Sequence, residues 1–477
     1  MNLLNWLLII VHTFVVIAAA GHALLWKRDP RAALGWIAVC ILFPLVGPFL
    51  YFLFGINRVR SRARKLAQRS PFQPDPGHDL LTETSGSAAS RLFVQPEFAT
   101  LARISGAVTN RPLVDGNHIH ILHNGEQAYP AMLDAIESAR ESLSITTYIF
   151  ETNRSGRRFI EALTRAVRRG VDVRVLIDGI GELYAFPRAG TLLKKHGVRV
   201  ARFLPPRLFP PAVHINLRNH RKLLVADSRT GFIGGMNIGD RHLAGDLSNP
   251  SRVVDIHFQL TGPIVAQIEE VFMADWSFAT GEYAPPRSAP DMEKDGAICR
   301  TITEGPNEDL NKLSSVFKGA IATALRKIFI MTPYFLPSRE IISAIETAAF
   351  KGVEVSVILP AKSNLPFVHW ATRKMLWELL ERGVRIYYQP PPFVHSKLFI
   401  VDDSYALIGS ANMDPRSLRL NFELAVEVYD RTFSETLAAH FEDSLKRSRE
   451  ISLEEVDGRP TLVRTRDALA WLFSPYL

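Results

Sequence analysis

The chain has 477 residues, 47% hydrophobic and 22% charged, with 30 Pro and 29 Gly. These values exclude a disordered, collagen-like or disulfide-framework protein and leave room for two or three domains with cores of their own. Net charge is +8, but +6 of it lies between Arg58 and Arg69, where Arg58, Arg60, Arg62, Arg64, Lys65 and Arg69 occur without an acid. Such a local cluster is not the spread-out basic footprint of a nucleic-acid binder, so no nucleic-acid partner is expected. Two cysteines, Cys40 and Cys299, imply no disulfide framework and fit a reducing compartment.

Two uncharged runs open the chain, 24 residues from Leu3 to Trp26 and 25 from Ala32 to Ile56. Each exceeds the ~20 residues that a helix needs to cross a bilayer, which predicts a transmembrane helical hairpin over 1–57. A cleaved signal peptide fits poorly, because the start carries no basic residue, the first run is too long and a second follows. Pro44, Gly47 and Pro48 predict a kinked or re-entrant path for the second run. Trp26 and Trp36 stand near the ends of the polar loop, where indoles favour the interface. The loop offers Lys27, Arg28 and Arg31, and the segment after the second run offers the larger basic cluster. Positive-inside reasoning therefore places the rest of the chain in the cytoplasm. The same cluster attracts anionic head groups, about 1 kcal/mol per basic side chain.

Residues 58–116 read as a basic juxtamembrane segment and a Pro/Gly/Ser-containing linker. Beyond them short apolar β-rich runs alternate with helical periodicities. Ser144 to Phe150 is a strand candidate, Phe159 to Arg169 a helix and Val171 to Ile177 a buried strand. The order then returns. Arg169-Gly-Val-Asp-Val173 matches Lys351-Gly-Val-Glu-Val355, and His196-Gly-Val-Arg-Val200 matches Arg382-Gly-Val-Arg-Ile386. Offsets of 182 and 186 residues mark an internal repeat. The halves are 117–285 and 290–451, each an α/β unit with a parallel or mixed sheet covered by helices, followed by a tail over 452–477.

The chemistry recurs at the same place in both halves. The first reads Asn219-His220-Arg221-Lys222, then Asp227, Gly234 and Asn237; the second reads Val394-His395-Ser396-Lys397, then Asp402, Gly409 and Asn412. Thus His-x-Lys-x4-Asp occurs twice with aligned Gly and Asn, at an offset of 175 residues. In an extended chain i and i+2 share a face, so each His and Lys project together, and the Asp ends the strand that follows. Two facing copies present two imidazoles and two ammonium groups to one small volume, as phosphodiester chemistry requires. A neutral His attacks phosphorus while a protonated one serves the leaving oxygen. His220 and His395 suit both roles because an unperturbed imidazole titrates near ~6.5. Lys222 and Lys397, with Asn237 and Asn412, neutralise the non-bridging oxygens. No metal and no cofactor is then required.

This arrangement resembles the phospholipase D superfamily, and within it the bacterial cardiolipin synthases. The resemblance covers nearly the whole chain, including Pro44-Leu-Val-Gly-Pro48, Arg218-Asn-His-Arg-Lys222, Gly409-Ser-Ala-Asn-Met-Asp-Pro-Arg-Ser417 and the terminal Phe473-Ser-Pro-Tyr-Leu. It implies two repeated phospholipase D-like α/β/α domains related by a pseudo-two-fold axis, behind the membrane hairpin. It implies a phosphatidyl-histidine intermediate, with His220 as nucleophile and His395 as acid and then base. Lys222 and Lys397 resemble phosphate ligands; Asp227 and Asp402 match the motif's acids, structural rather than chemical. Glu423 resembles the carboxylate that orients a motif His through its other ring nitrogen. Asp255 is its first-half counterpart, although it lies 35 residues after its His rather than the 28 separating His395 from Glu423.

The implied activity is reversible transfer from one phosphatidylglycerol to another, giving cardiolipin and glycerol at the bacterial inner membrane. A hydrolase using water as acceptor is the alternative. A nuclease is disfavoured by the membrane segment and nearly balanced charge, and a lipid-holding scaffold by the intact motifs. Other features have plain readings. His118, His120 and His123 lack a completing Cys or carboxylate and read as strand and turn rather than metal site, and His257 reads as core or support. The proline-rich Phe203 to Val213 is a buried connector or a loop that dips into the interface; Ala468 to Phe473 is core packing or an interfacial anchor.

Overall fold

The computed structural model describes residues 3–27, 30–55, 94–206, 217–282, 295–306 and 309–474. The Arg58–Arg69 cluster, the apolar loop from 207 onward and the last three residues lie outside them. The chain divides into an N-terminal body and a larger one formed by the rest.

In the N-terminal body, Leu3–Trp26 is one continuous helix, and its Ile9–Trp26 stretch is long and apolar enough to span a membrane. The second run does not repeat this. Its helix Pro30–Leu42 has 13 residues and stops at a turn; a short helix Val46–Leu50 and a π-turn Tyr51–Gly55 follow. Pro44 and Pro48 lack the N–H that would continue the ladder, so the expected break is observed and a second full-length span is not. Its end comes back to the end of the first helix. The Tyr51 hydroxyl meets His22 Nδ1 at 2.7 Å, the Gly55 carbonyl accepts from Lys27 Nζ, and Ala23, Cys40 and Tyr51 form a small buried cluster.

The larger body is built on one 15-stranded sheet. Its first-half strands are β1 (Val114–His123), β2 (Ser142–Thr147), β3 (Asp172–Asp178), β4 (Arg199–Phe203), β5 (Leu223–Ala226), β6 (Thr230–Gly234) and β8 (Ile256–Thr261); β7 (Val253–Val254) lies in a separate ribbon. Its second-half strands are β9 (Ala297–Glu304), β10 (Lys327–Met331), β11 (Glu354–Pro360), β12 (Arg385–Gln389), β14 (Leu398–Val401), β15 (Tyr405–Gly409), β16 (Glu423–Tyr429) and β17 (Arg449–Glu450), with β13 (Phe393–Val394) beside β7. From the central β1–β9 pair the order outward is β1-β8-β6-β5-β2-β3-β4 on one side and β9-β16-β15-β14-β10-β11-β12-β17 on the other. The two series have the same connectivity, as the sequence echoes require. β2, β3 and β4 run parallel, as do β10, β11 and β12, while β5 and β14 run antiparallel to their neighbours β2 and β10.

Helices cover both faces. Arg154–Arg168 and Arg339–Phe350 precede the second parallel strand of their halves, β3 and β11, and Pro366–Glu381 precedes β12; all three bury apolar stripes. Two cores result, one around Leu143, Phe159 and Val175, the other around Ile330, Val355 and Leu376. The stretch 58–116, read as linker, contains a helix Ala99–Thr109 whose Leu101 lies in the second core together with Phe98. Arg300 fixes it there, donating to the Ala102 carbonyl (2.8 Å) and to Glu427 Oε1 (2.6 Å).

Candidate active site

Two extended segments carry the twin motif into the sheet. Thr146 of β2 pairs antiparallel with Leu223, and Met331 of β10 with Leu398, so both motifs begin at the carboxyl ends of the parallel strands. That edge is where open α/β sheets place their ligands. His220 and Lys222 stand just before β5, His395 and Lys397 just before β14.

Each motif backbone is held by the other half. The His220 N–H donates to the Phe422 carbonyl (2.9 Å), and the His395 N–H to the Val254 carbonyl (2.8 Å). Phe393-Val394 pairs in parallel with Val253-Val254. The next residues, Glu423 and Asp255, are thereby delivered to the opposite histidine. His220 Nδ1 lies 3.0 Å from Glu423 Oε1, and His395 Nδ1 2.8 Å from Asp255 Oδ2. This corrects the sequence reading of Asp255 as the first-half partner. The pairing is crossed, so comparing separations within a half was the wrong measure.

The lysines close the arrangement. Lys222 Nζ donates to the His220 carbonyl at 2.7 Å, and Lys397 Nζ to the His395 carbonyl at 2.6 Å; Lys397 Nζ is also 3.1 and 3.2 Å from the two ring nitrogens of His395. Both lysines are buried. Burial pushes Lys222 down to about 7 and Lys397 to about 8. Burial likewise lowers His220 to about 4, against the pull of Glu423, and lowers His395 well below its usual value, with both lysines and His220 adding to the effect. The resting site thus holds two neutral imidazoles, and His220 and His395 are close enough to influence each other electrostatically.

The carboxylates differ. Burial acts to raise Glu423, but the adjacent His220, Lys222 and the Ser410 hydroxyl outweigh it and hold the group below its ordinary value. Ser410 Oγ donates to Glu423 Oε2 at 2.6 Å and Asn421 Nδ2 to Oε1 at 3.2 Å. Asp255 is raised, burial dominating over Lys397.

Asp227 and Asp402 do not face the imidazoles. Each lies past the far end of its four-residue strand at positive φ (51° and 53°). Asp227 accepts the N–H groups of Arg140, Glu141 and Ser142, each at 2.8 Å; Asp402 accepts those of Leu325, Arg326 and Lys327 at 2.7–2.9 Å. They tie β5 and β14 to the starts of β2 and β10 and carry no chemistry. Asn237 Oδ1 accepts from the Ile149 N–H (3.0 Å), and Asn412 Nδ2 donates to Ser417 Oγ (3.2 Å), so each amide organises its loop. Gly409 sits at φ 152°, where a Cβ would fall 2.2 Å from the Leu424 carbonyl oxygen; Gly234 adopts the same angle against His257.

Several supporting residues were not foreseen from sequence. Asp178, at the end of β3, accepts from the Asn219 N–H (2.9 Å) and Arg218 Nη1 (3.2 Å); Asp275 accepts from Arg221 Nη1 (2.5 Å) and Asn219 Nδ2 (2.9 Å). Together they fix the segment flanking His220. A carboxylate at the carboxyl end of a buried strand is the one sequence signal that marks Asp178. Tyr148 and Tyr334 line the site, their ring centroids 5.5 Å from His220 and 6.5 Å from His395. His257 is buried, neither ring nitrogen having a hydrogen-bond partner, and its proton affinity is lowered to about 4 by burial. Its place in the core agrees with the plain reading. His118 and His120 are exposed on β1. Among the described residues no group of three or more His, Cys, Asp or Glu side chains is placed to hold a metal.

Comparison with known proteins agrees with this geometry. Residues 132–276 and 317–445 match the family described as cardiolipin synthase, PLD-like domain, and residues 14–55 match a phospholipase D-nuclease N-terminal family. The chain is 31% identical over 462 residues to the major cardiolipin synthase ClsA of Bacillus subtilis (strain 168), covering 94% of this chain and 95% of that protein. It is 31% identical over 477 residues to cardiolipin synthase A of Pseudomonas putida (strain KT2440), covering 99% and 98%. The crystal structure of phosphatidylserine synthase from Haemophilus influenzae Rd KW20 shares the fold, with a TM-score of 0.61 at 17% identity, covering 79% of this chain and all of that one.

Proposed function

From the premise that the chain belongs to the cardiolipin synthase family with phospholipase D-like domains, we propose a division of labour between its two histidines. The enzyme is a phosphatidyltransferase acting on phospholipids. The donor and acceptor in our reading are both phosphatidylglycerol. His220 Nε2 attacks the donor phosphorus as the bond to the glycerol oxygen breaks. His395 protonates that oxygen, glycerol leaves and phosphatidyl-His220 remains. The terminal hydroxyl of a second phosphatidylglycerol then gives its proton to His395 and attacks phosphorus, breaking the P–N bond and releasing cardiolipin. Lys222 and Lys397 neutralise the non-bridging oxygens throughout.

The observation that carries this reading is the crossed His–carboxylate pairing, which gives both imidazoles an Nδ1 partner; Nε2 of His220 is then the nitrogen for phosphorus, and Nε2 of His395, with Lys397 Nζ 3.2 Å away, the one for the leaving oxygen. Glu423, held below its ordinary value, orients His220 as a nucleophile, whereas Asp255, raised by burial, orients His395. Binding of the phosphodiester anion offsets the lysine charges, and the proton affinity of His395 rises when an acid is needed. Two ammonium groups supply the electrophiles, so chelators should leave turnover unchanged. The proposed units keep the repeats at 117–285 and 290–451.

The membrane body supports one span, Leu3–Trp26, followed by a re-entrant segment. Gly55 returns to Lys27, and positive-inside reasoning from the sequence places the chain that follows in the cytoplasm. The direct experiment supplies labelled phosphatidylglycerol to membranes carrying the protein. Cardiolipin should form with release of free glycerol, and added glycerol should reverse the reaction. Phosphatidic acid as the dominant product, without cardiolipin, would make the protein a hydrolase.

A further inference from the structure

A second basic feature lies in the second half, outside the catalytic site. A cavity of about 560 Å3 opens between the helix Pro366–Glu381, the end of β12 and residues 447–459. Its size falls within the roughly 300–1,000 Å3 of small-molecule sites, and it shares no residue with the histidine, lysine and carboxylate set. Four guanidinium groups line it, from Arg373, Arg447, Arg449 and Arg459, with His369 and Tyr388 on the wall and Glu455 as the lining carboxylate.

The charges do not balance internally. Arg449 pairs with Glu455 at 2.5 and 2.9 Å. The buried Asp467 serves three arginines behind the wall: Arg373 (2.8 Å), Arg459 (2.5 Å) and Arg466 (2.9 Å). Four arginines thus share two carboxylates. Arg447 makes no ion pair within 4 Å among the described residues; its Nε donates to the Asp443 carbonyl at 3.2 Å, with the exposed Asp443 carboxylate nearby. Arg373 Nε is buried without any hydrogen-bond partner. Buried polar groups are ordinarily hydrogen-bonded, so the arginine cluster is under-satisfied. Convergent guanidinium forks suit phosphate oxygens, which they bind two at a time.

The surroundings select the source of the phosphate. Helix Thr461–Leu472 buries Asp467 and Ala470 on one face and exposes Leu462, Leu469, Leu472 and the following Phe473. Phe473 lies beside Phe367, also partly exposed, with ring centroids 5.8 Å apart and the planes tilted by 57°. Asp467 ties this helix to Arg373 and Arg459 of the cavity wall, so a headgroup phosphate in the cavity would have an exposed apolar helix in the same half for its acyl chains. The C-terminal stretch Ala468–Phe473 therefore both packs and exposes an apolar face. We propose that the arginine cavity is a second anion site, which binds the phosphate of an anionic phospholipid headgroup independently of the transferred phosphatidyl group.

The test uses the full-length protein in zwitterionic detergent with His220→Ala and His395→Ala, so that binding is read without turnover and a failure of the transfer reaction leaves the result intact. Short-chain phosphatidylglycerol and, separately, inorganic phosphate are titrated into this protein and into the same protein with Arg447→Ala and Arg449→Ala added. The catalytic lysines are common to both, so the difference reports the cavity. Lipid binding weakened at least five-fold is the expected result. Loss of inorganic phosphate binding alone would keep the anion site but assign it to free phosphate. A control with Arg447→Lys and Arg449→Lys should retain more binding than the Ala pair, which separates lost charge from lost folding. Unchanged affinity for both ligands in a protein with an unaltered melting temperature would overturn the proposal.

Discussion

The two halves of the catalytic body use one framework to make unequal sites. At the position after the motif glycine the first half has Gly235 and the second Ser410. A Cβ on Gly235 would stand 2.5 Å from Asp255 Oδ2, whereas Ser410 donates to Glu423 at 2.6 Å. The longer Glu423 reaches His220 with a hydroxyl holding it and stays ionised; the shorter Asp255 reaches His395 and is raised by burial. Duplication thus supplied the matching positions, and two side-chain differences supplied distinct proton affinities. A double displacement needs such a difference, because one imidazole must attack while the other donates.

The largest effect should follow loss of either imidazole. His220→Ala and His395→Ala should each lower the rate of cardiolipin formation by about 10⁴-fold or more, since the two act as one unit. A residual rate of a tenth in either variant would mean that the halves work separately. The next effect should reveal their inequality. Glu423→Gln should reduce kcat by on the order of 10²-fold, and Asp255→Asn by about tenfold, because Glu423 is held below its ordinary value while burial raises Asp255. Equal losses would remove the distinction drawn between the halves.

The pH profile sharpens the same comparison. Protonation of His220 below about 4 should produce the acid limb of kcat/KM, and loss of charge on Lys222 and Lys397 as pH rises through about 7 to 8 the alkaline limb. Lys222→Arg, which stays charged, should move the alkaline limb upward even if its rate is reduced. The smallest effect on turnover belongs to the motif acids. Asp402→Ala leaves three backbone N–H groups without their acceptor, so stability to urea should fall by about 2 kcal/mol while the rate per folded molecule stays within a few-fold.

Much of this was legible in the chain. The 175-residue offset between motifs and the matched Gly-Val-x-Val stretches map onto equivalent strands, β5 with β14, β3 with β11 and β4 with β12. Periodicity and repeats are local signals, and local signals survive folding. The crossed carboxylates were not legible, because they depend on β7 pairing with β13 and on the Asn219–Phe422 bridge, which join residues 140 and 203 positions apart. Nor were Asp178 and Asp275, whose roles come from where a strand end and a helix meet the Arg218–Arg221 segment. The second apolar run was read as long enough to span, but its prolines divide it, so the number of uncharged residues overstated the helix.

The central claim is that His220 carries the phosphatidyl group and His395 the proton. Full-length enzyme mixed briefly with phosphatidylglycerol labelled in its phosphatidyl part, quenched in alkali to preserve the P–N bond and mapped by peptide, tests it directly. Label on the peptide containing His220 is the predicted result. Label on the peptide containing His395 would contradict the assignment.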